Sequence, residues 1–432
     1  MSVLNQLYLA YDRRWRHADR WAIARAMGGL TERDGAEMLR QLLEHAVRRV
    51  PFYRKMSGTG DLSEFPILRK ESLRREQERL RSDDLAARRW YLNSSGGSTG
   101  QPVSFVQDEV YTDWAYAAEH HWLESFHGID PMATRKVVLW GSERDVDRSA
   151  RGIKTGLVNW LTNTHYLNVF HTAPGELERY AATIRRLRPD WLKGYAGSLY
   201  QLARFVRREN VPIHGPRLLT SSAETLRPFM REEIEQAFGV AVRDFYGSRE
   251  VGPIAGECRR GRLHMLRFHN WTEIVGEDGR PVAPGVEGRV LVTTLHNLAM
   301  PLIRYELGDT AVAGGSCDCG SSLPVLQAVS GRITDHFPTR TGGLVHGEFF
   351  THLFYFRNWV EEFQVLQEDL ESIRIFVVMR GEPPAADQAA IERQIRERMG
   401  PCSIRWERVD AVPRTPSGKL LFTRSLVENS AG

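Results

Sequence analysis

Nine consecutive residues, Ser94 to Pro102 (SSGGSTGQP), hold three glycines, three serines and a threonine. They follow an apolar run at Trp90, Tyr91 and Leu92 and precede an alternating one at Val103, Phe105 and Val106, so strand, turn and strand is the expected local structure. Hydroxyls and backbone N–H groups are dense there, and glycine lets the backbone come close to an anion, which is the chemistry of a loop wrapped around phosphates. The stretch ends Gly100-Gln101-Pro102 and is not a Gly-Lys-Ser/Thr loop; a flexible Ser/Gly turn is its other reading. Three of the four cysteines fall in two short groups, Cys258 with His264 and Cys317 with Cys319. Three thiols and an imidazole are the donor set of a closed tetrahedral zinc site if the fold joins the two pairs; three unrelated thiols and a surface histidine is the alternative. Four protein ligands leave no position for water, so such a site would be structural.

Further along stand Ser221-Ser-Ala-Glu224, Asp244-Phe-Tyr-Gly-Ser-Arg-Glu250, Met300-Pro-Leu-Ile-Arg-Tyr-Glu-Leu-Gly-Asp309, Gly331-Arg-Ile-Thr-Asp335 and Pro413-Arg-Thr-Pro-Ser-Gly-Lys419. Singly these are ordinary: a polar turn, a surface carboxylate at Glu250, a core aromatic at Tyr246, a solvated Ser-Gly-Lys turn. Together, in this order and over essentially the whole chain, they resemble the adenylate-forming superfamily of acyl-CoA ligases. Within it the chain is most similar to the phenylacetate–CoA ligase family and its capsular-polysaccharide-associated and deazaflavin-cofactor-adenylylating branch, in which the Cys258/His264 and Cys317/Cys319 pattern recurs.

The resemblance implies that a carboxylic acid and ATP give an acyl-adenylate and pyrophosphate, with Mg²⁺ and ATP as cofactors, structural Zn²⁺, and CoA as the acceptor. Positioning and charge neutralisation carry such a reaction. Ser94, Ser95, Gly96, Gly97, Ser98, Thr99 and Gly100 would hold the departing phosphates. Tyr246, with Gly247 and Ser248 beside it, would stack on adenine, and Ser222, Ala223 and Glu224 would contact its edge. Glu250 would bind Mg²⁺, Asp309 the ribose hydroxyls, and Arg332 the ribose or phosphate. Lys419 would bridge the carboxylate and the α-phosphate, entering from a small domain that rotates about Asp335. Trp140, Gly141, Tyr195 and Gly197 would wall an acid pocket suited to an aromatic or flat substrate. Two departures stand out: Gln101 where the family commonly has lysine, and His336–Gly343 where it has a glycine loop. The second puts the acceptor in question, so an amine, a sugar hydroxyl, a carrier protein, or the adenylate itself as product stay open. A non-catalytic nucleotide-binding homologue is the competing class.

The elements that must position these groups follow from periodicity. Residues 1–90 read as a helical lead-in. From Lys136 to Tyr246 strands alternate with amphipathic helices, which implies a mainly parallel sheet with helices on its faces. Hairpin signals dominate 263–320, the expected β-rich, zinc-containing subdomain of a large domain spanning 1–334. A small, mobile α+β domain is expected over 335–432, giving an α/β fold class. His120-His121 would point about 100° apart on a helix, a poor arrangement for sharing one ion. The 432 residues exceed one ordinary core, and a net charge of +4 without a Lys/Arg block argues against nucleic acid as partner. No apolar run approaches a membrane span, and no leader pattern is evident, so a cytoplasmic protein is expected, monomer or homodimer.

Overall fold

A computed structural model of the chain describes residue 10 and, from residue 20 onward, all residues except 57–60, 96–102, 141–152, 170–173, 225, 227, 331–335, 355, 356, 358, 380, 411, 413–421 and 428–432. The lead-in contains α1 (Arg20–Met27) and α2 (Glu32–Arg49). Thr31 and Asp34 cap the start of α2 reciprocally, and Leu39, Leu42, Leu43 and Ala46 recur at helical spacing, so one stripe is buried. Short helices α3 (Lys70–Arg75) and α4 (Gln77–Leu80) follow. Strands β1 (Trp90–Ser94) and β2 (Ser104–Asp108) form an antiparallel hairpin closed by Ser94 opposite Ser104. Asp108 ends β2 and caps α5 (Glu109–His127), accepting from the Val110 N–H; α5 stops at Gly128, whose φ of +66° suits glycine.

The chain then alternates: β3 (Lys136–Trp140), α6 (Ile153–Leu161), β4 (Thr164–Asn168), α7 (Pro174–Leu187), β5 (Trp191–Tyr195), α8 (Ala196–Arg208), β6 (Leu218–Ser222), α9 (Pro228–Phe238) and β7 (Val242–Ser248). Helix α7 ends one residue earlier than Pro189 alone requires, because Arg188 takes φ +43°. Strands β8 (Gly252–Glu257), β9 (Leu263–Met265), β10 (Asn270–Val275), β11 (Glu287–Thr294), β12 (Tyr305–Ala313) and β13 (Val325–Ser330) complete the large unit.

Strands β3 to β13 form one eleven-stranded sheet in the order β10-β11-β12-β13-β9-β8-β7-β6-β5-β3-β4. Pairing is parallel from β4 to β7 and antiparallel from β7 onward. The hairpin-rich region is therefore a continuation of the parallel sheet rather than a sheet of its own. The reason is the β7–β8 hairpin: it presents a fresh edge that β9 takes, and β13 returns to pair with β9. Helices α7, α8 and α9 cover one face of the parallel half around Val137, Leu139, Leu192 and Leu219. Helices α1 and α5 cover the other around Trp122, Trp191 and Phe245. The lead-in packs on the antiparallel half: Leu68 N–H donates to the Arg304 carbonyl at 3.1 Å and the Leu68 carbonyl accepts from Glu306 N–H at 3.0 Å.

The last unit contains β14 (His336–Pro338), β15 (Leu344–His346), α10 (Gly347–Phe354), β16 (Val360–Asp369), β17 (Ser372–Met379), α11 (Ala385–Met399), β18 (Ser403–Arg408) and β19 (Thr423–Ser425). Its four-stranded sheet, ordered β18-β17-β16-β19, has its own core of Phe350, Phe363, Ile375, Val377, Ile391 and Ile395. The expected boundary at residue 335 lies outside the described residues. Among the described residues no helix is long and apolar enough to cross a membrane.

Candidate functional site

In open α/β sheets the crevice beyond the carboxyl ends of parallel strands is where ligands bind. Here β3, β5, β6 and β7 end at Trp140, Tyr195, Ser222 and Ser248, and the sheet turns antiparallel immediately beyond. Tyr246 lies near the end of β7, and its hydroxyl donates to Asp309 Oδ2 at 2.8 Å. Asp309 comes from β12, 63 residues away in sequence. The sheet thus brings the flat ring expected for adenine and the carboxylate expected for ribose into direct contact. The Ser222 hydroxyl donates to the Phe245 carbonyl at 2.8 Å, tying the end of β6 to β7. Ala223 follows with φ +71°, a left-handed conformation that costs a non-glycine residue roughly 1 kcal/mol or more. The adjoining Glu224 Oε2 accepts from the Gly197 N–H at 2.8 Å, at the start of α8. Ser222, Ala223, Glu224 and Gly197 are therefore one connected rim, although the sequence assigned Gly197 to the acid and the other three to adenine.

Glu250 is buried on the turn between β7 and β8. Its Oε1 stands 3.7 Å from the Nζ of Lys70, which is equally buried. The Glu250 carbonyl accepts from Gln107 Nε2 at 3.2 Å, joining this turn to the β1–β2 hairpin. In that hairpin Ser95 is buried; its hydroxyl accepts from the Val103 N–H and its own N–H donates to the Val103 carbonyl, each at 2.9 Å. Ser95 latches the base of the glycine-rich loop, with its hydroxyl proton still available to an acceptor. The Ser94 N–H is held by Asn93 Oδ1. Gly247 and Ser248 lie in β7 on the way to Glu250. Trp140 and Tyr195 meet with ring centroids 4.4 Å apart, and both also pack into the core formed with α8. Gly96, Gly97, Ser98, Thr99, Gly100, Gly141, Arg332, Asp335 and Lys419 lie outside the described residues.

Away from this crevice, Cys258, His264, Cys317 and Cys319 bring four ligand atoms within 4.8 Å of one another. Cys258 Sγ and Cys317 Sγ are 3.7 Å apart, and Cys319 Sγ and His264 Nε2 are 3.3 Å apart. Around a tetrahedral zinc with its usual bond lengths, sulfur–sulfur and sulfur–nitrogen edges come to about 3.8 and 3.5 Å. His264 Nδ1 sits 3.1 Å from the Leu323 carbonyl, which fixes the proton on Nδ1 and leaves Nε2 facing the thiols. The donor set fits the ion. The adjacent His120 and His121 do diverge: His120 lies tilted against Trp21 with ring centroids 5.2 Å apart, while His121 Nδ1 meets Ser125 Oγ at 3.1 Å.

Residues 337–425 match the CapK C-terminal domain family. Protein CapK of Staphylococcus aureus is 24% identical over 386 residues, covering 85% of this chain and 81% of that protein. The phenylacetate–coenzyme A ligase of Escherichia coli strain K12 is 28% identical over 330 residues, covering 69% and 70%. By sequence the chain is similar to CapK and to the phenylacetate–CoA ligases of the adenylate-forming superfamily. A solved 2-hydroxyisobutyryl-CoA ligase, in complex with 2-HIB-AMP and CoA in the thioesterification state, superimposes with a TM-score of 0.59 at 17% identity, covering 91% of this chain and 90% of that one, a likeness of fold.

The residue this chain's motifs did not reveal is Lys70. Phe65-Pro-Ile-Leu-Arg-Lys70 is conspicuous as a local pattern but carries no spacing to Glu250, 180 residues away. A compositional signal was present: of 58 basic residues only six are lysine, at positions 55, 70, 136, 154, 193 and 419. In a chain that otherwise uses arginine, a buried lysine marks a place where a compact ammonium is wanted.

Proposed function

We propose that this chain is an ATP-dependent carboxylic acid ligase that forms an acyl-adenylate, releases pyrophosphate and passes the acyl group to CoA. The observation that carries the reading is the Tyr246–Asp309 hydrogen bond beside the buried Glu250–Lys70 pair, at the carboxyl ends of the parallel strands. It gives a ring for adenine, an acceptor for ribose hydroxyls, an oxygen donor for Mg²⁺ and a cation for phosphate within one crevice. The CapK and phenylacetate–CoA ligase relatives support the same reading.

In the first step an oxygen of the substrate carboxylate attacks the α-phosphorus and the bond to the bridging oxygen of pyrophosphate breaks. Lys419 stabilises the charge shared between the two oxygens, and Arg332 holds the ribose or phosphate. Ser94, Ser98, Thr99 and the loop amides hold the leaving pyrophosphate. Lys70 supplies there the positive charge that Gln101 does not. In the second step the CoA thiolate attacks the acyl carbon, AMP leaves, and rotation about Asp335 has withdrawn Lys419 to admit the thiol. Cys258, His264, Cys317 and Cys319 would hold zinc in a structural role and so would fasten β9 to the loop before β13.

ATP–pyrophosphate exchange with a panel of carboxylic acids tests the first step. Exchange should require an acid, and Lys419→Ala should lower it by roughly two or more orders of magnitude with ATP still bound. Nucleotide binding without acid-dependent exchange on any acid would leave a nucleotide-binding homologue that does no chemistry. A second reading keeps the adenylate but hands the acyl group to a non-CoA nucleophile. It is favoured by one observation: the part of the chain that would face the acceptor is the part that matches the CapK family, and the CapK relative covers more of the chain than the CoA ligase does. Thioester formed with CoA present, against none, separates the two.

A further inference from the structure

The base of the glycine-rich hairpin and the turn that carries Glu250 belong to different elements, and one buried side chain joins them. Strand β7 ends at Ser248 and β8 starts at Gly252, which takes φ +62°, so Glu250 is the middle residue of a three-residue loop, 249–251. The carbonyls of such a loop lie beyond the strand ladder, and with Glu250 and Val251 buried they need donors from elsewhere. Two buried carboxamides supply them. Gln107 Nε2 of β2 donates to the Arg249 and Glu250 carbonyls at 3.4 and 3.2 Å. Asn270 Nδ2 of β10 donates to the Val251 carbonyl at 2.5 Å and to the Pro253 carbonyl at 2.8 Å. All three loop carbonyls are thus held from outside the loop, by side chains of two other strands.

The amide of Gln107 is used completely. Its Oε1 accepts from the Tyr91 hydroxyl and from Asn93 Nδ2, each at 2.8 Å. Two acceptor contacts at one end and two donor contacts at the other fill all four positions of a carboxamide and fix which way it faces. Strand pairing explains the reach. Tyr91 lies directly opposite Gln107 and Asn93 opposite Phe105, and residues two apart in a strand share a face. Asn93 Oδ1 in turn accepts from the Ser94 N–H at 2.9 Å. Hydrogen bonds donated in one direction therefore run from the Ser94 N–H through Asn93 and Gln107 to the Glu250 carbonyl. Aligned amides polarise one another, so these links strengthen together. Gln107 is itself held in place, because Asn297 grips the residues on either side of it. Asn297 Oδ1 accepts from the Asp108 N–H at 3.1 Å, and its Nδ2 donates to the Val106 carbonyl at 3.0 Å. Burying an amide costs free energy that an apolar side chain of the same length would not, so this one is explained by what it holds.

We propose that Gln107 is a positioning residue for the nucleotide site: it locks the base of the glycine-rich hairpin to the loop that carries Glu250, so that the carboxylate is aimed before nucleotide and metal arrive. The inference rests on the ligase reading above and adds a residue to its site. Its signature is selective. A positioning role acts on the Mg²⁺-dependent part of ATP binding and spares the rest, whereas a merely structural role lowers both alike. The experiment measures ATP affinity by calorimetry with Mg²⁺ and with EDTA in its place, and takes the ratio. The wild type should bind ATP more tightly with Mg²⁺. Gln107→Met, close in length and without hydrogen bonds, should shrink that ratio about fivefold or more, with the metal-free affinity changed less than about twofold. Gln107→Glu keeps an acceptor for Tyr91 and Asn93 but sets an oxygen against two carbonyls, and should shrink the ratio as well. Asn93→Ala breaks the chain one link earlier at a half-buried position, and should act in the same direction even where a Gln107 variant fails to fold. Ile184→Ala, a core truncation on α7, lowers stability elsewhere and should leave the ratio as it is. A wild-type affinity indifferent to Mg²⁺, or Gln107 and Asn93 variants that keep the wild-type ratio, overturns the positioning role whatever the exchange assay shows. Absence of acid-dependent pyrophosphate exchange in the wild type, with the ratio and its Gln107 dependence intact, overturns the ligase reading and supports the positioning role.

Discussion

At the scale of single residues, the Tyr246 hydroxyl and the Lys70 ammonium make separable contributions. Tyr246→Phe removes one 2.8 Å bond to Asp309, worth about 1 kcal/mol net, and keeps the ring. The unfolding free energy should fall by about 1 kcal/mol in denaturant titration, while ATP affinity measured by calorimetry changes by less than about fivefold because the ring is kept. Lys70→Ala deprives the buried Glu250 carboxylate of a nearby cation and, on the proposed function, removes a positive charge from the nucleotide crevice. Pyrophosphate exchange should fall by roughly 10- to 100-fold and the unfolding midpoint should also drop; a variant with full activity would remove Lys70 from the site. The contrast between these two residues shows what sequence can carry. Tyr246, Glu250 and Asp309 sit in local patterns whose residue types have few uses in that order, so they are legible. Lys70 acquires its role only when Leu68 bonds to residues 304 and 306, a pairing that no local spacing announces.

Two elements depend on close fits. Helix α5 rests on β8 through Trp122, whose Nε1–H donates to the Glu257 carbonyl at 3.0 Å. A Cβ added at Gly256 would lie 2.4 Å from that Nε1, so the indole and the strand touch with no room between them. Gly256→Ala should lower stability by about 1–3 kcal/mol in denaturant titration and push α5 away from β8. The four proposed zinc ligands join β9 to the segment before β13, next to the β9–β13 pairing that links the two parts of the sheet. Metal analysis of purified protein should give about one equivalent of zinc, and Cys317→Ser should destabilise the fold rather than abolish one chemical step. A metal-free protein of full stability would sink the site. Individual strands and helices were readable, because periods of 2 and 3.6 residues are local properties: β17 falls on Ser372–Met379 as its alternation suggests. The union of both halves was not, since β9 finds β13 some 60 residues downstream.

Across the whole molecule, buried imidazoles set the response to acid. Burial pushes His120 down to about 3 and His127 and His296 to about 4, and holds His269 well below its usual value. Each takes up a proton in the unfolded chain before it does so in the folded one, so stability is present above pH 6.5 and declines as pH falls from 6.5 toward 4. Asp244, raised to about 7 by burial and the charge of Glu257, acts in the opposite sense over that window, one group against four. The urea midpoint should therefore be lower at pH 5 than at pH 7.5; an equal or higher midpoint would mean the imidazoles are not neutral inside. The docking of Leu68 on Arg304 and Glu306 bears also on biosynthesis. Leu39, Leu42, Phe65 and Leu73 share a core with Val290, Leu302 and Tyr305, so their apolar sides are not fully covered until roughly 240 further residues have left the ribosome. At roughly 5–20 residues per second that interval is roughly 12–50 s, during which the nascent chain exposes sticky surface and is a natural client for a holding chaperone.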